Sequence, residues 1–278
     1  FALLLALCLI SSAACAATFT DAHGNVIELD DSLEAYAAVT LVGADNAARQ
    51  GETNLGDLWA DALRWFAVSG EINAAFDEDD VKAGNDRIAV DADHVVALWN
   101  GGNLRADITE GTFGAEALAE VLPFPNKVAV VYMTGAQLLE TLEAASQGLP
   151  YTAETADACA SLMQVSGLTY TVDTTKAYDA LEAYGDHWFT AGSVSRVRID
   201  DVNGQPFDAE ATYAVVTSNA NFNGMDSSYV LKAAAEANEQ SAVTTAVVRD
   251  VVFRFIAAEL NHQVGEAYAA PQGRLTIL

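Results

Sequence analysis

Residues able to do chemistry are thinly spread along this chain. Asp21-Ala22-His23 has the D-x-H form that opens a two-metal phosphoester site. A two-metal site needs several further His and Asp ligands, and no G-D-x-x-D or G-N-H-E segment follows it. His23 therefore reads as a turn residue. His94, His187 and His262 lie far apart and read as strand-end, loop and helix-end residues. No nucleophile elbow, phosphate-cradling glycine loop, dinucleotide fingerprint or H-E-x-x-H zinc motif occurs. Cys8, Cys15 and Cys159 offer neither the number nor the spacing for a disulfide framework or a thiolate metal site. From these residue types alone, no catalytic machinery can be assembled.

The overall balance narrows the partners. The net charge is −26, from 39 acidic against 13 basic residues. Such a surface repels nucleic acid and anionic membranes. An anionic small ligand would need arginine focused at one place. Apolar residues make up 51% of 278, enough for one large domain or two small ones with a sizeable core. The opening FALLLALCLISSAACAA is an uncharged apolar run followed by small residues. It is short for a membrane span and reads as the apolar part and cleavage site of an export signal over residues 1–17. Cleavage is expected around Ala14-Cys15-Ala16. A lipoprotein site at Cys15 and a buried N-terminal helix are the alternatives. The expected destination is the periplasm, cell envelope or medium, with no membrane span after cleavage.

The elements that must position any site follow from periodicity. TFTDAHGNVIELDD reads strand–turn–strand, a hairpin extension over residues 18–37. Residues 38–42 are a short strand candidate. Thr53 can cap a helix to about Ala67, with Leu55, Leu58, Trp59, Ala62, Leu63 and Phe66 on one stripe. Residues 69–93 are acidic and irregular. Strands are expected over 94–99, 127–133, 163–173, 194–202, 212–217 and 274–278. Helices are expected over 115–121, 135–146, 227–237 and 241–262, and residues 174–192 read as a loop. This mixture is a mixed α/β (α+β) fold, one domain of mixed sheets flanked by helices over residues 38–278.

Several short segments then occur in a telling order. They are Arg49-Gln-Gly-Glu52-Thr-Asn-Leu-Gly-Asp-Leu-Trp-Ala-Asp61, Asn100-Gly-Gly-Asn-Leu-Arg105, Leu122-Pro-Phe124-Pro-Asn126, Thr134-Gly135, Gln164-Val-Ser-Gly167, Arg196-Val197 and Asn221-Phe222-Asn-Gly224-Met-Asp226. Each motif alone is weak, but the ordered set resembles the C-terminal domain of the 5′-nucleotidase and UDP-sugar hydrolase family. The resemblance implies a domain that binds a nucleotide or nucleoside and presents it to a separate metal-bearing domain. It implies that Phe124 is half of an aromatic clamp on the base and that Asn126 touches the base edge. Arg49 and Arg105 face ribose and phosphate, Asn100 holds the strand-end loop, and Asp226 accepts from ribose hydroxyls. The second clamp ring is Phe222 if the Asn-x-Phe pattern is matched, or is replaced by Ala220 if the match is made on the aspartate. The family's G-G-D-G is here Gly224-Met225-Asp226-Ser227, two glycines fewer. No metal or other cofactor is expected on this chain itself. Divalent metals would come with a catalytic partner, a separate metallophosphoesterase chain. The chain alone is expected to be inactive in phosphomonoester hydrolysis; the alternatives are a stand-alone nucleotide-binding protein without chemistry and a degenerate domain with a surface role.

Overall fold

The computed structural model describes residues 16–20, 24–30, 34–184 and 188–278. Residues 1–15, where most of the expected export signal falls, lie outside the described residues, as do Asp21, Ala22, His23 and His187.

In chain order, β1 (Ala16–Thr20) and β2 (Val26–Asp30) form an antiparallel hairpin. Next come β3 (Glu34–Ala37), α1 (Ala47–Gln50), α2 (Asn54–Val68) and α3 (Glu78–Ala83). After them lie β4 (Val95–Asn100), β5 (Gly111–Gly114), α4 (Ala115–Val121), β6 (Lys127–Thr134) and α5 (Gly135–Ala145). The next strands are β7 (Met163–Ser166), β8 (Leu168–Val172), β9 (Ala180–Tyr184), β10 (Trp188–Ala191), β11 (Val197–Val202) and β12 (Thr212–Ser218). Two helices, α6 (Asn219–Phe222) and α7 (Tyr229–Ala237), precede β13 (Ala242–Val247) and α8 (Val248–Leu260). Two short strands, β14 (Gln263–Val264) and β15 (Leu275–Ile277), close the chain.

The central sheet has five strands in the order β13-β6-β12-β4-β7. It is mixed: β12 runs parallel to β4, whereas β6 is antiparallel to β12 and β7 to β4. Its strands show the period-2 alternation of a sheet covered on both faces. Val95, Ala97 and Trp99 of β4, with Ala214 and Val216 of β12, enter one core beside α2 and α8. Val96 and Leu98 of β4, with Tyr213 and Val215 of β12, enter a second core beside α5 and α7. The expected α2 stripe is wholly buried in the first core, where Trp59 meets Trp99 at 6.2 Å between ring centroids. Thr53 caps α2 by accepting from Gly56 N, which satisfies one of the helix's free amides.

Five expectations are corrected. Residues 38–42 carry only an isolated bridge, Leu41 to Ile108, and the strand lies at β3. The acidic stretch 69–93 contains α3, because Asp77 and Asp80 build a reciprocal capping box. The single strand expected over 163–173 is two strands in different sheets, turned at Gly167 with φ +80°, a value that favours glycine. Residues 174–192 include the β9–β10 hairpin. The long helix expected from 241 begins as β13, whose Ala-Val-Thr-Thr-Ala-Val is β-branched and pairs with β6. Among the described residues no helix is long and apolar enough to cross a membrane.

Candidate functional site

Topology carries distant segments to one edge of the central sheet. The C-terminal ends of the parallel strands β4 and β12 lie side by side. The antiparallel β6 and β7 begin at that same edge, with Val128 opposite Ser218 and Met163 opposite Asn100. The edge therefore collects Asn100, the Phe124–Asn126 turn ahead of β6, the α6 loop after β12 and the turn ahead of β7.

Four of the seven expected site residues are joined there by charge and hydrogen bonding. Asn100 is fully buried. Its Nδ2 donates to Asp226 Oδ2 at 2.7 Å and to Ala160 O at 3.3 Å, and its Oδ1 accepts from Asn103 Nδ2 at 2.8 Å. Burial pushes the Asp226 carboxyl above the usual carboxylate range, and the charges of Arg49 and Arg105 oppose that rise. Arg49, on α1, is 8% exposed. Its Nη1 donates to Ala156 O at 2.9 Å and stands 3.7 Å from Asp157 Oδ1, so part of the fork is already held by protein. Arg105 is exposed and lies over the Phe124 ring, 5.9 Å from its centroid.

The other three sit differently. Phe124 is 43% exposed, high for a phenylalanine, and is joined to the cluster through Arg105. Asn126 is buried beside it, and its carbonyl accepts from Val248 N at 2.9 Å. Phe222 is half-buried and packs against the second core. Its ring is thus spent partly on packing, unlike that of Phe124. The Met225-Asp226-Ser227 loop reaches its shape without the family's glycines: Asp226 and Ser227 adopt φ +50° and +59°. Gln147 Nε2 donates to Ser227 Oγ and holds that turn.

Other motif residues act as scaffolding, which their types alone did not reveal. Asn221 is fully buried. Its Nδ2 donates to Ser228 Oγ at 2.9 Å, and its Oδ1 accepts from Ser218 Oγ at 2.7 Å. It thereby ties the end of β12 to the start of α7. Asn221→Ala is expected to lower unfolding free energy by about 1–3 kcal/mol, the cost of leaving such buried groups unmatched. Urea denaturation at neutral pH measures it. Arg196 donates to Ser146 O and Leu149 O, capping carbonyls at and beyond the end of α5. Among the described residues no group of three or more His, Cys, Asp or Glu could hold a metal ion.

Fold and site together define a mixed α/β domain that gathers arginine, amide, carboxylate and an exposed aromatic ring at one strand-end edge. The family model described as the 5'-nucleotidase C-terminal domain matches residues 34–233, and the chain belongs to that family. A trifunctional nucleotide phosphoesterase, YfkN of Bacillus subtilis strain 168, is 28% identical over 188 residues, 66% of this chain and 10% of that protein. A 5'-nucleotidase precursor from Thermus thermophilus is 29% identical with TM-score 0.62, covering 88% of this chain and 39% of that one. NAD nucleotidase of Haemophilus influenzae shares the fold at 16% identity and TM-score 0.58, covering 94% of this chain and 48% of its own. The chain thus spans less than half the length of each of these relatives.

Proposed function

We propose that this domain binds a nucleotide or nucleoside at the strand-end edge and presents it for hydrolysis by metals held elsewhere, outside the cytoplasm. The observation that carries this reading is the convergence of Arg49, Arg105, Asn100 and Asp226 beside the exposed Phe124 ring. On a chain of net charge −26, two guanidinium groups at one edge are the local focus an anionic ligand needs. Arg105 covers one face of Phe124, so a base would stack on the opposite face. Phe222 would complete the clamp by turning out of its half-buried seat. Asp226, already bonded to the Asn100 amide, keeps acceptor capacity for ribose hydroxyls.

Isothermal titration of the protein with AMP and with adenosine, with and without divalent metal, tests the reading. Binding should be independent of metal, and tighter for AMP if Arg49 or Arg105 meets phosphate. Phe124→Ala should weaken it roughly tenfold to a hundredfold, the value of one base–aromatic stack at about 1–3 kcal/mol. Unchanged affinity in that variant would remove Phe124 from the site. No heat with either ligand would overturn the proposal.

A further inference from the structure

We propose that Glu52 and Asp57 share a single proton, and that this carboxyl–carboxylate bridge is a pH-sensitive fastener holding the C-terminal segment against the start of α2. The observation is a matched pair of orphans. Glu52 Oε1 and Asp57 Oδ1 are both buried side-chain oxygens without a hydrogen-bond partner among the described residues. The second oxygen of each is occupied by the same stretch of chain. Glu52 Oε2 accepts from Leu275 N at 3.0 Å, and Asp57 Oδ2 accepts from Gln272 N at 3.0 Å. The two side chains lie within hydrogen-bonding reach of each other, and two carboxylates so placed cannot both remain charged out of water. One proton between them turns two unsatisfied acceptors into one donor and one acceptor.

The surrounding groups do not supply an alternative donor. Arg274 Nε stands 3.8 Å from Asp57 Oδ1, outside hydrogen-bond range. Its other nitrogens are engaged: Nη1 donates to Val165 O, and Nη2 to Asp61 Oδ2 and Gln272 Oε1. Asp61 is further occupied by Ser166 Oγ and by the Tyr268 hydroxyl. Arg64, near Asp61 and Arg274, donates to Val95 O and Ala92 O. Tyr170, which feels the charge of Glu52, donates its hydroxyl to Met163 O. Asp57 lies in the first turn of α2, where a helix favours negative charge, yet its carboxyl is pushed up to about 8. Burial is the largest cause, Arg274 opposes it, and Glu52 adds to it.

The folded pair keeps its proton above the range where an ordinary aspartate loses it. Its stabilising contribution is therefore complete below about pH 4 and is lost as pH rises through about 8. Over that interval the wild-type folding constant should fall about tenfold per pH unit relative to a variant that takes up no proton. Asp57→Asn and Glu52→Gln each put an amide N–H where the proton sits, so each should remove this extra slope. The double variant should be less stable than the two single changes predict by addition. Its amides must keep their oxygens toward Gln272 N and Leu275 N, which leaves two NH2 groups facing each other. Urea unfolding of the four proteins from about pH 5 to about pH 9.5 reads both effects. Equal slopes in wild type and both single variants, or an additive double variant, would overturn the proposal. A carboxyl-carbon NMR titration of the wild type gives an answer should any variant fail to fold. One proton should remain on the pair near pH 6, and both carboxyls already ionised at about pH 5 would sink the idea.

Discussion

Gly101→Ala is expected to destabilise the domain by about 3 kcal/mol or more and to displace Arg49 from the site. A Cβ on Gly101 would lie 1.9 Å from Ala48 O and 2.5 Å from its carbonyl carbon. Those are backbone atoms of α1, so relief requires moving the whole turn rather than rotating a side chain. Insertions into packed interiors cost about 1–3 kcal/mol when neighbours can yield, and more when they cannot. Gly101 is also pinned from its other side, since its N–H donates to Leu162 O at 2.7 Å. Arg49 follows Ala48 directly, so the displaced turn carries the guanidinium away from Asp226. Gly265→Ala is the control. A Cβ there meets nothing within 4 Å, and φ is −105°, so the change should stay within about 0.5 kcal/mol. Urea midpoints of the two variants separate close approach from chain stiffening. Equal stabilities would show that α1 yields freely.

The contrast between those two glycines shows what a sequence carries and what it withholds. The α2 helix was legible because Thr53 and six apolar residues at helical spacing are local signals, and all six are buried. The α4 helix was legible because Pro123 follows it. The β13 strand was not, since Ala242–Val247 runs into the equally apolar Val248–Leu260 with no breaker between them. Only pairing with β6 makes the first part a strand. The split of 163–173 turns on one left-handed glycine, which a run of alternating residues conceals. The candidate site was legible as a set of motifs but not as a geometry. Asn100 and Asp226 are 126 positions apart, and their meeting depends on β4 and β12 running parallel, which no local pattern states. Phe222 shows the reverse. Its motif position implies a free ring, whereas the second core takes part of it.

Gln164→Met should be among the most damaging single changes, because Gln164 does three jobs with one amide. It is 1% exposed. Its Oε1 accepts from Thr53 N at 3.0 Å, and its Nε2 donates to Ala48 O at 3.0 Å and Gly51 O at 2.9 Å. The three partners bracket residues 48–53, the connector that holds Arg49 at one end and the cap of α2 at the other. Methionine keeps the volume and removes every bond, leaving one N–H and two carbonyls unmatched in a dry interior. Each such group costs about 1–3 kcal/mol, so the expected loss is roughly 3–6 kcal/mol after partial relaxation. Gln164→Glu should recover only part of it, since a carboxylate can accept from Thr53 N but repels both carbonyls. A Cβ on Gly56 would strike the same side chain at 2.2 Å, which explains the Gly in the motif around α2. Thermal and urea unfolding check the stability loss, and amide exchange at Thr53 reads it locally. A methionine variant within about 1 kcal/mol of wild type would show that water replaces the amide and that the connector is held by packing alone.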